Sequence, residues 1–224
     1  MSTTLVFAGG PPGPPALSPG AARAVAAASA APGVTVVAAD SGLHLAEAAG
    51  LVPDVVVGDM DSVESRVLER AAAAGARIEH HPADKDATDL ELALAEAWRG
   101  TPERVVVIGS ADGRLDHLLG VVAAVAEPPP GAAEVTAWVG PHMVLPVHRR
   151  RTVDGTPGSL VSLLAVGGPA VGVRTTGLRW TLDGDDLVPF SGRGLSNRFT
   201  GTEATVELSD GVLVVIIPEE EVPR

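Results

Sequence analysis

Apolar and polar residues alternate in two textures along this chain. Up to about residue 140, short uniformly apolar runs are separated by segments with helical spacing. The runs are "TLVFA", "VTVVAA", "DVVVG", "RIEHH", "RVVVIG" and "EVTAWV". Between them lie an Ala-rich stretch from about Pro19 to Ala31, then "LHLAEAAG", "SVESRVLERAAAAG" closed by Gly75, "DLELALAEAWRG" and "LDHLLGVVAAVAE". Strands without a polar face need cover on both sides, so the pattern predicts a mostly parallel sheet flanked by helices. After about His142 the helical period disappears. Gly-punctuated strands are expected in "SLVSLLAVGG", "AVGVRTTGLRWTL", "LVPFSG" and "ATVELSDGVLVVII", the last a hairpin turning at Ser209-Asp210-Gly211. The expected fold class is therefore α/β over residues 1–141, with an antiparallel β-sandwich over 142–224.

A chain of 224 residues buries enough surface to need no covalent staples, and it has no cysteine. That excludes disulfides, zinc thiolates and a thiol nucleophile, and suits a reducing compartment. The N-terminus lacks a basic, then apolar, leader, and no apolar run reaches membrane-spanning length. A cytoplasmic protein is expected. The net charge of −12 disfavours nucleic acid and anionic membranes, and favours a cationic small substrate or a metal. Fifteen of the sixteen Lys and Arg residues are Arg; the only lysine, Lys85, lies one residue before Asp86 and one after Asp84.

In open parallel sheets, ligands gather beyond the carboxyl ends of the strands. The segments leaving these strands are polar: Gly9-Gly10; Asp40-Ser41-Gly42; Gly58-Asp59-Met60-Asp61-Ser62; "ADKDATD" with Lys85, Asp86, Thr88 and Asp89; and "GSADGRLDH" with Arg114, Asp116 and His117. Ordinary helix capping competes with function at several of these. Asp61-Ser62-Val63-Glu64 and Thr88-Asp89-Leu90-Glu91 both fit a capping box, and Asp40 or Asp116 can serve a helix N-terminus. Asp59 does not fit that role, because it precedes the cap and sets a like charge beside Asp61 in an extended chain. Carboxylates so crowded are tolerated around Mg²⁺, with Lys85 and Arg114 suited to phosphate. The site reads as one for phosphoryl or pyrophosphoryl transfer, although neither the P-loop nor G-x-G-x-x-G is present. The six histidines show no paired metal spacing and read as surface or structural.

Together, "ADSG", "PDVVVGDMDS", "KDATDLELAL", "GRLDH", "TTGLRW" and "SNRF" resemble the thiamine pyrophosphokinase family, in its order and across nearly the whole chain. The resemblance implies an α/β nucleotide- and Mg²⁺-binding domain, a β-sandwich domain, and a homodimer with thiamine held where the subunits meet. It implies that Asp59, Asp61 and Asp89 bind Mg²⁺ and, with Arg114 and Asp116, serve catalysis. It places ATP contacts at Asp40, Gly42, Lys85, Thr88 and Arg114, and thiamine contacts at Trp180, Ser196 and Asn197. A cationic heteroaromatic ring suits an indole face, though Trp180 also fits as a core aromatic of the sandwich. Two features depart from the family pattern: Ser41 stands where a second glycine is usual, and "SGRGL" replaces a Ser/Thr-rich loop before Ser196. The expected reaction passes the pyrophosphoryl group of ATP to thiamine, giving thiamine diphosphate and AMP. A pyrophosphokinase acting on another heterocyclic alcohol such as a hydroxymethylpterin, and a non-catalytic sensor, are the alternatives. "DVVVGDMDS" also superficially resembles the D-x-D-x-[ST] end of the first strand in haloacid-dehalogenase-like phosphatases, but it comes after the third strand, and the α/β half offers no convincing later acidic pair. "RRR" at Arg149 to Arg151 reads as a solvated turn.

Overall fold

Strands apolar on both faces are satisfied only between two layers of helices, and the first half of the chain builds such layers. The computed structural model describes residues 2–9, 16–111, 114–127 and 134–219; Gly10 and the Asp112-Gly113 pair of "GSADGRLDH" lie outside them. The chain divides into two compact units, Met1–Pro141 and His142–Arg224.

In the first unit β1 (Thr3–Phe7), β2 (Thr35–Ala39), β3 (Val55–Gly58), β4 (Arg77–His80), β5 (Arg104–Gly109) and β6 (Glu134–Val139) run parallel in the order β6-β5-β1-β2-β3-β4. Five helices connect them: α1 (Pro19–Ser29), α2 (Gly42–Ala48), α3 (Ser65–Ala73), α4 (Asp89–Arg99) and α5 (Leu115–Ala126). Leu5, Phe7, Val36, Val106 and Ile108 pack under α1 and α2, and Ala38 and Val56 pack under α3. The strand residues between them point to the opposite face, where α4 crosses β1, β2 and β3. After β4 the chain thus runs back over the sheet and re-enters beside β1, so strand order reverses between β1 and β5. That return delivers the N-terminus of α4 to the carboxyl ends of β2 and β3.

The second unit is an antiparallel sandwich. One sheet is β12 (Asn197–Arg198), β9 (Leu160–Ala165), β14 (Leu213–Pro218) and β7 (His142–Val147). The other is β11 (Asp183–Leu187), β10 (Ala170–Thr176), β13 (Glu203–Glu207) and β8 (Arg150–Asp154). Val147, Val161, Leu163, Val173, Phe199, Val206 and Val215 fill the space between them. The mixed α/β and antiparallel character expected from the sequence is present, with four corrections in this unit. The Ser209-Asp210-Gly211 turn does not make a hairpin. Asp210 bridges to Val171, and β13 and β14 lie in different sheets, because the alternating faces of the two runs are needed on opposite sides of one core. The strand expected at "LVPFSG" is instead the acidic "DGDDL" before it; Phe190, at φ +62°, has left extended geometry. Likewise β10 ends at Thr176, and Gly177 at φ +73° turns "GLRW" out of the strand. Arg149 to Arg151 are not a free turn either. Arg150 opens β8 and pairs with Glu207 at 2.8 Å, and Arg151 donates to the Pro146 carbonyl at 3.1 Å.

Gly42 is the tightest joint of the first unit, since a Cβ there would lie 2.1 Å from the Phe7 carbonyl oxygen. Gly42→Ala should therefore cost about 2–3 kcal/mol through backbone displacement. Gly120, mid-helix in α5 with open space around it, is the control. Gly120→Ala should stabilise by roughly 0.5–1 kcal/mol. Thermal unfolding of both variants checks the contrast.

Candidate functional site

The carboxyl ends of β2 and β3 each release an aspartate, and α4 supplies a third. Asp40, Asp59 and Asp89 each offer an oxygen to a group whose atoms all lie within 4.8 Å of one another. Gly58 makes this approach possible. At φ +151°, a Cβ there would sit 3.1 Å from both the Asp40 Cβ and an Asp89 carboxylate oxygen. At an effective dielectric of about 20, two full negative charges ~5 Å apart repel by roughly 3 kcal/mol. The trio must be compensated.

Part of the compensation is Lys85. Its Nζ lies 3.1 Å from Asp89 Oδ1 and 3.4 Å from Asp59 Oδ2, with the side chain 15% exposed. Burial works against the ammonium, but the two carboxylates outweigh it and hold its pKa above the usual lysine value. Asp59 is held below the usual carboxylate value, chiefly by the Asp61 backbone N–H, which donates to Oδ1 at 3.2 Å, and secondarily by Lys85. Asp40 behaves in the opposite way. It is buried, and desolvation together with the Asp89 and Asp59 charges raises its pKa, against hydrogen bonds from the Ser62 hydroxyl and the Ser41 backbone. Its Oδ1 is buried without a hydrogen-bond partner. Convergent carboxylate oxygens, one of them unsatisfied, form a hard-donor set that fits Mg²⁺.

This trio differs from the one expected. The structure brings Asp40, not Asp61, to Asp59 and Asp89. Met60 at φ +64° takes the chain out of extended geometry, and Asp61, whose side chain stays beside Asp59, lies outside the group. The capping reading of Asp61 also fails: α3 starts at Ser65 after Glu64, and the Ser62 hydroxyl lies 2.9 Å from Asp61 Oδ1 while donating to Asp40. At Thr88 capping is real. Its hydroxyl accepts from the Glu91 N–H at 3.2 Å, and Glu91 accepts from the Thr88 N–H at 2.7 Å. Asp40 does not cap α2, which begins after Ser41; Ser41 itself sits at φ −61°, where no glycine is required. Arg114 and Asp116, both exposed at the start of α5, pair with each other through 3.1 and 2.5 Å hydrogen bonds. The guanidinium lowers the Asp116 pKa to about 2, so this carboxylate stays ionised.

In the second unit Trp180 is 54% exposed, which removes the core-aromatic reading. Asn197 Oδ1 accepts from the Trp180 N–H at 3.1 Å, and its Nδ2 donates to the Trp180 carbonyl at 2.7 Å. The buried Asn197 amide is thus committed to holding the Trp180 backbone. Sequence reasoning passed over Arg179, whose guanidinium carbon lies 4.9 Å from the indole centroid; its only sequence signal was adjacency to Trp180. Trp180, Leu182, Arg193, Leu195 and Asn197 line a cleft of about 290 Å³. Ser196, at φ +58°, lies beside it and donates its N–H to the Ser162 hydroxyl at 3.1 Å. In the "SGRGL" loop, Gly194 passes its carbonyl to the Leu163 N–H at 3.0 Å.

Comparison with known proteins matches residues 31–135 to the family "Thiamin pyrophosphokinase, catalytic domain" and residues 147–213 to "Thiamin pyrophosphokinase, vitamin B1 binding domain". Thiamine pyrophosphokinase 1 of Oryza sativa subsp. japonica is 29% identical over 147 residues, covering 60% of this chain and 54% of its own. Thiamine pyrophosphokinase of Bacillus subtilis (strain 168) is 38% identical over 72 residues, 32% of this chain and 34% of its own. The first of these matches spans about half of that relative's length. In fold, the chain is similar to the crystal structure of Bacillus subtilis thiamine pyrophosphokinase, with a TM-score of 0.81 and 20% identity over 99% of this chain and 100% of that one. A thiamin pyrophosphokinase family protein from Enterococcus faecalis gives a TM-score of 0.77 and 24% identity, covering 99% and 100%.

Asp40 carries a testable sign. A carboxyl whose folded pKa is raised contributes stability below its unfolded value and loses it as pH rises through the folded one. At neutral pH the Asp40 charge is therefore a burden on the fold. Asn keeps an oxygen for the Ser62 hydroxyl and tolerates φ +45°. Asp40→Asn should melt about 2–4 °C higher than the parent at pH 7, a gain of ~1 kcal/mol. The difference should shrink as pH falls through the mildly acidic range, and melting curves across pH 4–8 read it directly.

Proposed function

The chain belongs to the thiamine pyrophosphokinase family, and from that membership we propose that it transfers the pyrophosphoryl group of ATP to the hydroxyl of thiamine. The observation that carries the reading is the Asp40–Asp59–Asp89 convergence with Lys85 against it, at the strand ends where an α/β sheet binds phosphate.

In this reading the thiamine hydroxyl oxygen attacks the β-phosphorus of ATP. The new O–P bond forms as the bond from that phosphorus to the α–β bridging oxygen breaks, and the electron pair leaves on AMP. The hydroxyl proton is released. Such transfer depends on positioning and charge neutralisation more than on covalent help from the protein. Asp40, Asp59 and Asp89 would hold Mg²⁺, which when bound neutralises phosphate oxygens. Lys85 meets the phosphates as a point charge, and Arg114 as a planar fork once it leaves Asp116. Gly42 keeps the backbone close behind β1, and Thr88 fixes the start of α4, so that Asp89 is delivered accurately. Trp180 offers an indole face to the cationic thiamine ring, held at its backbone by Asn197, with Ser196 beside the cleft. ATP as donor agrees with a cytoplasmic location. A homodimer completes the proposal, supported by Leu115 and Leu119 exposed on α5 and by Phe190 and Leu195 exposed on the sandwich.

Incubation with thiamine, ATP and Mg²⁺ should yield AMP and thiamine diphosphate in equal amounts, resolved by ion-exchange chromatography. ADP as the product would overturn the phosphate geometry. Asp59→Asn should lower turnover by at least about a hundredfold while the circular dichroism spectrum is retained. Light scattering should report twice the chain mass, and a lone-chain mass for the active enzyme would remove the dimer.

A further inference from the structure

The Lys85 ammonium contacts Asp59 and Asp89, two of the three carboxylates suited to the divalent cation. We propose that Lys85 and that cation compete for these carboxylates, so that metal enters the site readily only when phosphate groups offer the ammonium another partner. The inference rests on the reading of the site as one for Mg²⁺ and ATP.

Three observations carry it. The first is position: Nζ lies 3.1 Å from one carboxylate oxygen and 3.4 Å from the other, so a divalent ion bound by the same groups would stand within a few ångströms of a positive charge. The second is residue type. In a chain with fifteen arginines, the one cation paired with these carboxylates among the described residues is the only lysine. An ammonium is a compact charge on a flexible stem, able to sit between carboxylates and to swing away, which a planar guanidinium fork is not. The third is mounting. Lys85 lies in an irregular stretch between β4 and α4, so it can move without breaking a helix or strand, while Asp89 is fixed in the first turn of α4 and Asp59 is tied by its hydrogen bond from the Asp61 N–H.

Binding of Mn²⁺ to the whole chain, monitored by the loss of the aqueous Mn²⁺ paramagnetic resonance signal, tests this without turnover. Without nucleotide, Lys85→Met should bind Mn²⁺ at least tenfold more tightly than the parent, and Lys85→Gln should agree with it. Asp59→Asn should remove the gain. Equal or weaker binding by both lysine variants, with melting temperatures showing them folded, would overturn the inference and make the lysine a co-resident that orders the carboxylates. Addition of an ATP analogue with a methylene α–β bridge separates the two readings. If the parent binds the analogue but the lysine variants show no tighter Mn²⁺ binding in its absence, competition alone is wrong. If the lysine variants bind Mn²⁺ more tightly but no protein binds the analogue, competition stands and the ATP reading falls.

Discussion

Mutual repulsion among three carboxylates is the constraint around which the first unit is arranged. Asp40, Asp59 and Asp89 come from three separate stretches of chain, and nothing local requires them to meet. They meet because a parallel sheet sets its carboxyl ends side by side, and because α4 runs back across β1, β2 and β3 from the edge strand. Gly58 removes the one side chain that would hold Asp89 away, and the capping box at Thr88 fixes the turn from which Asp89 projects. The cost falls mainly on Asp40, which is buried, raised in pKa and left with an unsatisfied oxygen. A fold selected only for stability would place an amide there. On the proposed function, the carboxylate is a functional group that the rest of the sheet is stable enough to carry.

Much of this was legible in the sequence, and for a definite reason. Uniformly apolar strands imply a parallel sheet, and a parallel sheet implies that the residues after each strand share one edge. Asp40, Asp59, Lys85 and Asp89 are all among the residues that this step gathers, together with Asp61, Asp86, Thr88, Arg114, Asp116 and His117. What the sequence did not disclose was which aspartates converge. The expectation for Asp61 assumed an extended chain, whereas Met60 takes a left-handed conformation for which its residue type gives no signal. Asp61 instead shares the Ser62 hydroxyl with Asp40, linking the exposed carboxylate to the buried one.

The sandwich was harder to read, because pairing partners in antiparallel sheets are set by tertiary contacts more than by neighbours in sequence. A Ser-Asp-Gly between two alternating runs is a strong local signal for a hairpin, yet here the same residues make a corner. The residues around Trp180 show a related effect. Asn197 is distant in sequence and reads as a polar residue free for ligand, but its amide is spent on both backbone groups of Trp180. Arg179 covers part of the indole on one side. Trp180 thus owes the anchoring of its backbone to a side chain seventeen positions away, and its exposed indole is carried on that fixed backbone.

The corner between β13 and β14 has a consequence for how the second unit acquires its structure. Successive strands that belong to opposite sheets cannot be assembled one sheet at a time: β13 needs β10 and β8, while β14 needs β7 and β9. The short link at Gly211 forces both sheets to close on the shared core together. Most of its pairings are remote in sequence, so the entropy of loop closure must be met before the contacts reward it.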